Sequence, residues 1–181
     1  MVTKEIYNST MRGVIRHFIP DSIVFITSVT KFRKPIFIDE ESRQLFYSTI
    51  ENAHRIHRFE ILAHVLLPDH FHWLLSSADS DFSKVVKSVK GNFTVNYKSK
   101  NNLNYPINLW QPRYWDHLIR NEKDYINHIE YIHWNPVKHG LVREPFEWES
   151  SSFCDWVRNG YYPKNWGDKE LSLHVKEMNF E

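Results

Sequence analysis

Residues 59–76 read FEILAHVLLPDHFHWLLS, and this stretch decides the fold. Phe59 to Leu67 is rich in apolar and β-branched residues, as a strand is. Pro68-Asp69 is a turn signal. His70 to Ser76 then reads as a returning strand, so the two runs form a hairpin. In an extended strand, residues i and i+2 share a face. His70 and His72 therefore project together, and Phe71 projects to the opposite side.

Outward from the hairpin, Ser22 to Val29 (SIVFITSV) is a further strand, followed by a basic loop with Lys31, Arg33 and Lys34. Asp39 precedes Glu40, Glu41 and a helical pattern reaching about His57, with Leu45, Phe46, Ile50 and Ala53 on one face. After the hairpin, Ser80 or Asp81 caps a second helix to about Lys98. It turns Val85, Val86, Val89 and Phe93 inward and Lys84, Lys87, Lys90 and Lys98 mostly outward. Asn101 to Asn108 is a polar loop, and Tyr114 to Ile119 is a short strand. A third helix begins at Asn121 or Glu122 and is stopped by Pro136. The order of strand, helix, strand, strand, helix, strand, helix predicts an α+β fold. It is a ferredoxin-like, split βαβ antiparallel sheet with helices on one face and the other face open for a partner. The remainder is expected to pack on the domain as a C-terminal tail.

With 181 residues, 41% of them hydrophobic, the chain suits one domain with a sizeable core (1–181, core about 14–143, tail 144–181). A single cysteine, Cys154, excludes a disulfide within the chain and a cysteine-rich zinc site, and suits a reducing cytoplasm. The N-terminus lacks the apolar core of a signal peptide, and no apolar run is long enough to span a bilayer. A formal net charge of only +1 means that any nucleic-acid surface must be local. Aromatic residues, at 15%, serve a core or provide stacking platforms for bases.

Two imidazoles on one strand face can bind one divalent cation, or can be two polar residues on a half-exposed strand. Tyr131 and Asn135 lie one helical turn apart, so a phenol and an amide oxygen share a face. These are a nucleophile and a ligand, or ordinary amphipathic packing. Pro136 biases Asn135 away from helical geometry. His54, His57, His128 and His133 are competing ligands, expected mostly to face solvent. Asp69 is read as the turn residue rather than a support for the histidines. Lys84, Lys87 and Lys90, with Arg113 and Arg120 flanking the fourth strand, are candidate phosphate contacts or a solvated face.

The ordered set HVLLPDHFHWLL (64–75), LWQPRYWDHLIRNEKDYINHIEYIHWNPVKHGLV (109–142) and WESSSFCDWVRNGYYPKNWG (148–167) resembles the REP-associated tyrosine transposases. These are domesticated relatives of the single-tyrosine, His-hydrophobe-His insertion-sequence transposases. The resemblance covers about residues 14 to 167. It implies His70 and His72 as metal ligands, Asn135 as the third, and Tyr131 as the catalytic tyrosine in preference to Tyr125. The sequence departs from the family pattern at Pro20-Asp21, where a glycine pair is usual; this touches the N-terminal region that helps read DNA.

The implied activity is metal-dependent cleavage and rejoining of single-stranded DNA at hairpin-forming palindromic repeats, through a covalent 5′-phosphotyrosine. The expected cofactor is Mg²⁺ or Mn²⁺; two imidazoles suit Mn²⁺ better. The expected partner is single-stranded or hairpin DNA, handled by a cytoplasmic monomer without membrane attachment. Three alternatives stand beside it. One is a non-catalytic hairpin-binding protein, another a dimeric insertion-sequence transposase with exchanged tyrosines, and the third a phosphoesterase using a metal-bound water.

Overall fold

The computed structural model describes residues 23–77, 81–167 and 171–180. Four strands form one sheet: β1 (Ile23–Val29), β2 (Phe59–Leu66), β3 (His70–Ser77) and β4 (Trp115–Leu118), in the order β2-β3-β1-β4. Every pairing is antiparallel, and β3 lies between β1 and β2, as the split βαβ reading requires. The strand start at Ser22, the Ser80 cap and the departure at Pro20-Asp21 lie outside the described residues.

Helices α1 (Glu40–His54) and α2 (Phe82–Lys100) cover one face. Each begins where its sequence supplies a cap. Asp39 accepts from the Ser42 N–H at 2.7 Å, and Asp81 from the Lys84 N–H at 3.3 Å. Phe46, Val86, Val89 and Phe93 from these helices pack with Val24, Ile26, Phe71, Trp73 and Leu75 of the sheet.

The expectation that all helices share one face is corrected. The alternate strand positions, Ile23, Phe25, Ala63, Val65 and Leu74, are apolar as well, and leaving them in water would cost about 25 cal/mol per Å². Helix α3 (Glu122–Lys138) covers them through Ile129, Tyr131 and Ile132. Behind α3 pack two short helices of the tail, α4 (Phe153–Arg158) and α5 (Leu173–Glu177), with Trp156, Tyr162 and Trp166.

Pro136 does not stop α3, which runs on to Lys138. Proline removes only one donor, and the helix closes within a turn. Gly140, at φ 66°, gives its N–H to the Val137 carbonyl at 2.9 Å, and Leu141 gives its own to Pro136 at 2.9 Å. That left-handed closure, natural for glycine, satisfies the last carbonyls. Asn135 consequently stays helical.

The tail also protects an edge. Residues 150–152 run beside β2, with Leu66 N–H donating to the Ser150 carbonyl at 2.8 Å and Ser152 N–H to the His64 carbonyl at 2.9 Å. An edge strand thus gains partners it would otherwise seek in another chain.

Candidate active site

Strand β3 presents His70 and His72 to the α3 side of the sheet; Phe71 and Trp73 enter the opposite core. Both imidazoles are buried. Register places Thr27 directly across from His72, and its Oγ1 lies 2.8 Å from His72 Nδ1. Asp69 Oδ1 lies 2.6 Å from His70 Nδ1, and Asp69 Oδ2 accepts from Arg33 Nη1 at 3.0 Å. Burial alone would raise the Asp69 carboxyl. Hydrogen bonds and charge from His70 and Arg33 outweigh it and hold the group below its ordinary value. Asp69 is therefore more than the turn residue read from sequence, because its side chain orients an imidazole. With each Nδ1 committed, Nε2 is the nitrogen each ring offers.

Helix α3 supplies the opposing wall. Tyr131, Asn135 and His139 follow one another at intervals of four and share a face. The Tyr131 ring lies 5.3 Å from that of His72, and the His139 ring 5.1 Å from that of His70. Asn135, between them along the helix, is 0% exposed. Neither of its amide atoms has a hydrogen-bond partner among the described residues. A buried, unsatisfied primary amide costs roughly 1–3 kcal/mol unless something occupies it.

The donor set fits a divalent cation. A cation about 2.1 Å from an imidazole nitrogen lies roughly 3.2 Å from the ring centre. Two such rings at octahedral to tetrahedral angles stand roughly 4.5–5.3 Å apart. The His70 and His72 rings are 4.9 Å apart and near-perpendicular, at 81°. The Asn135 carbonyl oxygen would be a third donor.

Tyr131 is itself fully buried. Phe180 of the tail packs on it edge-on at 5.1 Å, and Lys138 Nζ lies 4.9 Å from its ring centre. Tyr125 is set apart among apolar side chains, where burial, reinforced by Tyr161, holds its phenol well above the usual range.

The remaining histidines divide. His54 is exposed and His57 partly so, but His128 and His133 are buried, contrary to the expected solvent exposure. The cause is that α3 is enclosed between sheet and tail. His133 Nε2 lies 2.8 Å from Ser152 Oγ, which locks the tail to α3. His128 forms with His117 and Asp124 a second group able to hold a cation, its ligand atoms within 4.8 Å of one another. In this group the His117 and His128 rings lie nearly parallel, at 14°, with their centres 4.8 Å apart. Asp124 already accepts from the Arg120 N–H and pairs with His117.

The predicted basic residues are not all together. Lys87 and Lys90 line an open groove of about 620 Å³ with Trp110, Gln111 and Tyr114, on the side of the sheet away from Tyr131. Lys84 is exposed on the same helix and paired with Asp81. Arg113 is exposed on the loop beyond the groove. Arg120 follows β4 at the far end of the sheet from His70, since Leu118 pairs with Val24 whereas His70 pairs with Val29. Of the lysines read as outward, Lys90 and Lys98 are partly buried. Desolvation lowers the Lys90 ammonium to about 8, and it sits 5.4 Å from the Trp110 ring.

Residues 21–135 match the family described as Transposase IS200 like. The chain is 38% identical over 153 residues to the REP-associated tyrosine transposase of Escherichia coli (strain K12), covering 83% of this chain and 88% of the relative. The chain belongs to the IS200-like transposase family. A relative from Haemophilus influenzae, described in similar terms, is 34% identical over 169 residues, with 87% of this chain and 94% of the relative covered. A solved structure of a REP-associated tyrosine transposase bound to a REP hairpin superposes with a TM-score of 0.73 and 33% identity, covering 93% of this chain and 98% of that one. This transposase is thus an enzyme acting on DNA. No helix among its described residues is long and apolar enough to cross a membrane.

Sequence reasoning missed Thr27 and His139 at this site. Thr27 carried no signal, because its role depends on strand register. His139 carried one, the spacing of four that repeats from Tyr131 through Asn135.

Proposed function

We propose that this transposase cleaves and rejoins single-stranded DNA at hairpin-forming palindromes through a covalent 5′-phosphotyrosine on Tyr131. The observation that carries the reading is the approach of the Tyr131 ring to His72, with the buried, unsatisfied Asn135 amide one helical turn further along α3. His70, His72 and Asn135 would hold a divalent cation, Mg²⁺ or Mn²⁺, which supplies Lewis acidity to the scissile phosphate when bound. Tyr131 gives up its phenolic proton and its oxygen bonds to phosphorus. The bond to the 3′ oxygen breaks, and that oxygen takes up a proton. Strand joining is the reverse, with a 3′ hydroxyl displacing the tyrosine, so the phosphoester is conserved. Lys138, whose Nζ lies 4.9 Å from the Tyr131 ring centre, donates to the Met178 carbonyl at 2.7 Å and so ties this part of α3 to the tail.

Hairpin DNA is proposed as the substrate because the solved relative is described as bound to a REP hairpin. Lys84, Lys87, Lys90 and Arg113 would meet phosphates of its stem on the α2 side, and Arg120 a separate stretch. Tyr131 reaches His72 within one chain, which supports a monomer that needs no exchanged tyrosine. We further propose one cytoplasmic domain, residues 1–181, with a core of about 14–143 and a packed tail.

The test is a 3′-labelled hairpin oligonucleotide incubated with Mn²⁺ and resolved on a denaturing gel. The label should shift to the mass of the protein, survive Tyr125→Phe and vanish in Tyr131→Phe. A labelled adduct in Tyr131→Phe overturns the assignment.

A further inference from the structure

We infer that His139 is a fourth protein ligand to the cation at the His70/His72/Asn135 site, an inference that rests on the metal reading above. The two strand imidazoles are 4.9 Å apart, and the His139 ring stands 5.1 Å from His70 at 61°. Both separations fall in the range of roughly 4.5–5.3 Å that two rings sharing one ion require. The helix supplies the alignment. His139 is one turn past Asn135, which is one turn past Tyr131, and the outer two touch His70 and His72 respectively. His139 is also exposed, whereas the other three donors are buried. It stands on the open side of the site, where a phosphate oxygen would arrive.

The chemical consequence concerns donor type. Three imidazole nitrogens and one amide oxygen suit Mn²⁺ and other borderline ions better than Mg²⁺, which favours oxygen and water. His139 thereby sets the ratio of the two affinities. The competing role is structural: a cationic histidine at the C-terminus of α3 would favour the helix dipole. That role would affect melting, with no effect on metal affinity.

The experiment titrates the full chain with Mn²⁺, following the free ion by electron paramagnetic resonance, with Mg²⁺ competition. Wild type, His139→Ala and His72→Ala are compared, and circular dichroism checks each fold. His139→Ala should bind Mn²⁺ at least roughly tenfold more weakly, with a reduced preference over Mg²⁺. The visible absorption of a Co²⁺-loaded sample should change as well. His139→Ala binding within about twofold of wild type, while His72→Ala fails to bind, overturns the His139 assignment and leaves the metal reading intact. Equal binding by all three proteins overturns the metal reading itself and the His139 assignment with it.

Discussion

Asp69 Oδ1 lies 2.6 Å from Nδ1 of His70, and the same carboxylate reaches Arg33 with its other oxygen. The contact fixes which nitrogen His70 presents to the site. Asp69→Ala should therefore weaken Mn²⁺ binding by roughly ten- to hundredfold, and a high Mn²⁺ concentration should restore most of the covalent-adduct yield. The midpoint of adduct formation against Mn²⁺ concentration is the measurement. An unshifted midpoint would leave Asp69 as a turn residue alone.

Phe180 packs edge-on against Tyr131 at 5.1 Å and stacks on Trp115 at 4.5 Å. A fully buried phenol cannot meet a phosphate until this cover moves. Aromatic pairs contribute about 0.5–1.5 kcal/mol each beyond their buried area, so Phe180→Ala should speed adduct formation up to roughly tenfold. Mn²⁺ affinity should stay unchanged. Single-turnover rates on the hairpin oligonucleotide test this, and a rate equal to or below wild type would sink it.

The hairpin at Phe59–Ser77 and the His70/His72 face were legible because both follow from local spacing. The caps at Asp39, Asp81 and Asn121 were legible for the same reason. The Thr27–His72 contact was not, since it needs the cross-strand register, which is fixed by the packing of whole strands. The side of the sheet taken by α3 was also hidden. Phe25 and Leu74 show an apolar second face only once the strands are aligned with it. Pro136 misled because proline's cost depends on where it falls; in a last turn closed by Gly140 it removes little.

Lys90 gives the groove a pH signature. Desolvation lowers its ammonium to about 8, so the cation is present below that pH and is lost as pH rises through it. Hairpin binding, measured by fluorescence anisotropy in EDTA, should weaken between pH 7 and 9. Lys90→Arg should flatten the dependence, because arginine stays charged. Lys90→Ala should lower the salt slope by about one phosphate. If Lys90→Ala keeps the wild-type pH profile, DNA phosphate does not enter this groove.

Glu130, next to the proposed nucleophile, offers a test of stability rather than binding. Burial pushes its carboxyl up to about 7. A carboxyl raised in the folded state contributes its full stability below the unfolded value, 4.5, and that contribution is lost as pH rises through about 7. Glu130→Gln, which cannot ionise, should match wild type at pH 4.5 and exceed it at pH 8. Partial solvent screening reduces the gain to about 1–2 kcal/mol, or a few degrees in Tm for a domain of this size. Thermal melts at the two pH values decide it. A gain that is the same at both would mean that the glutamine improves packing instead, and that the folded protein bears no cost in ionising Glu130.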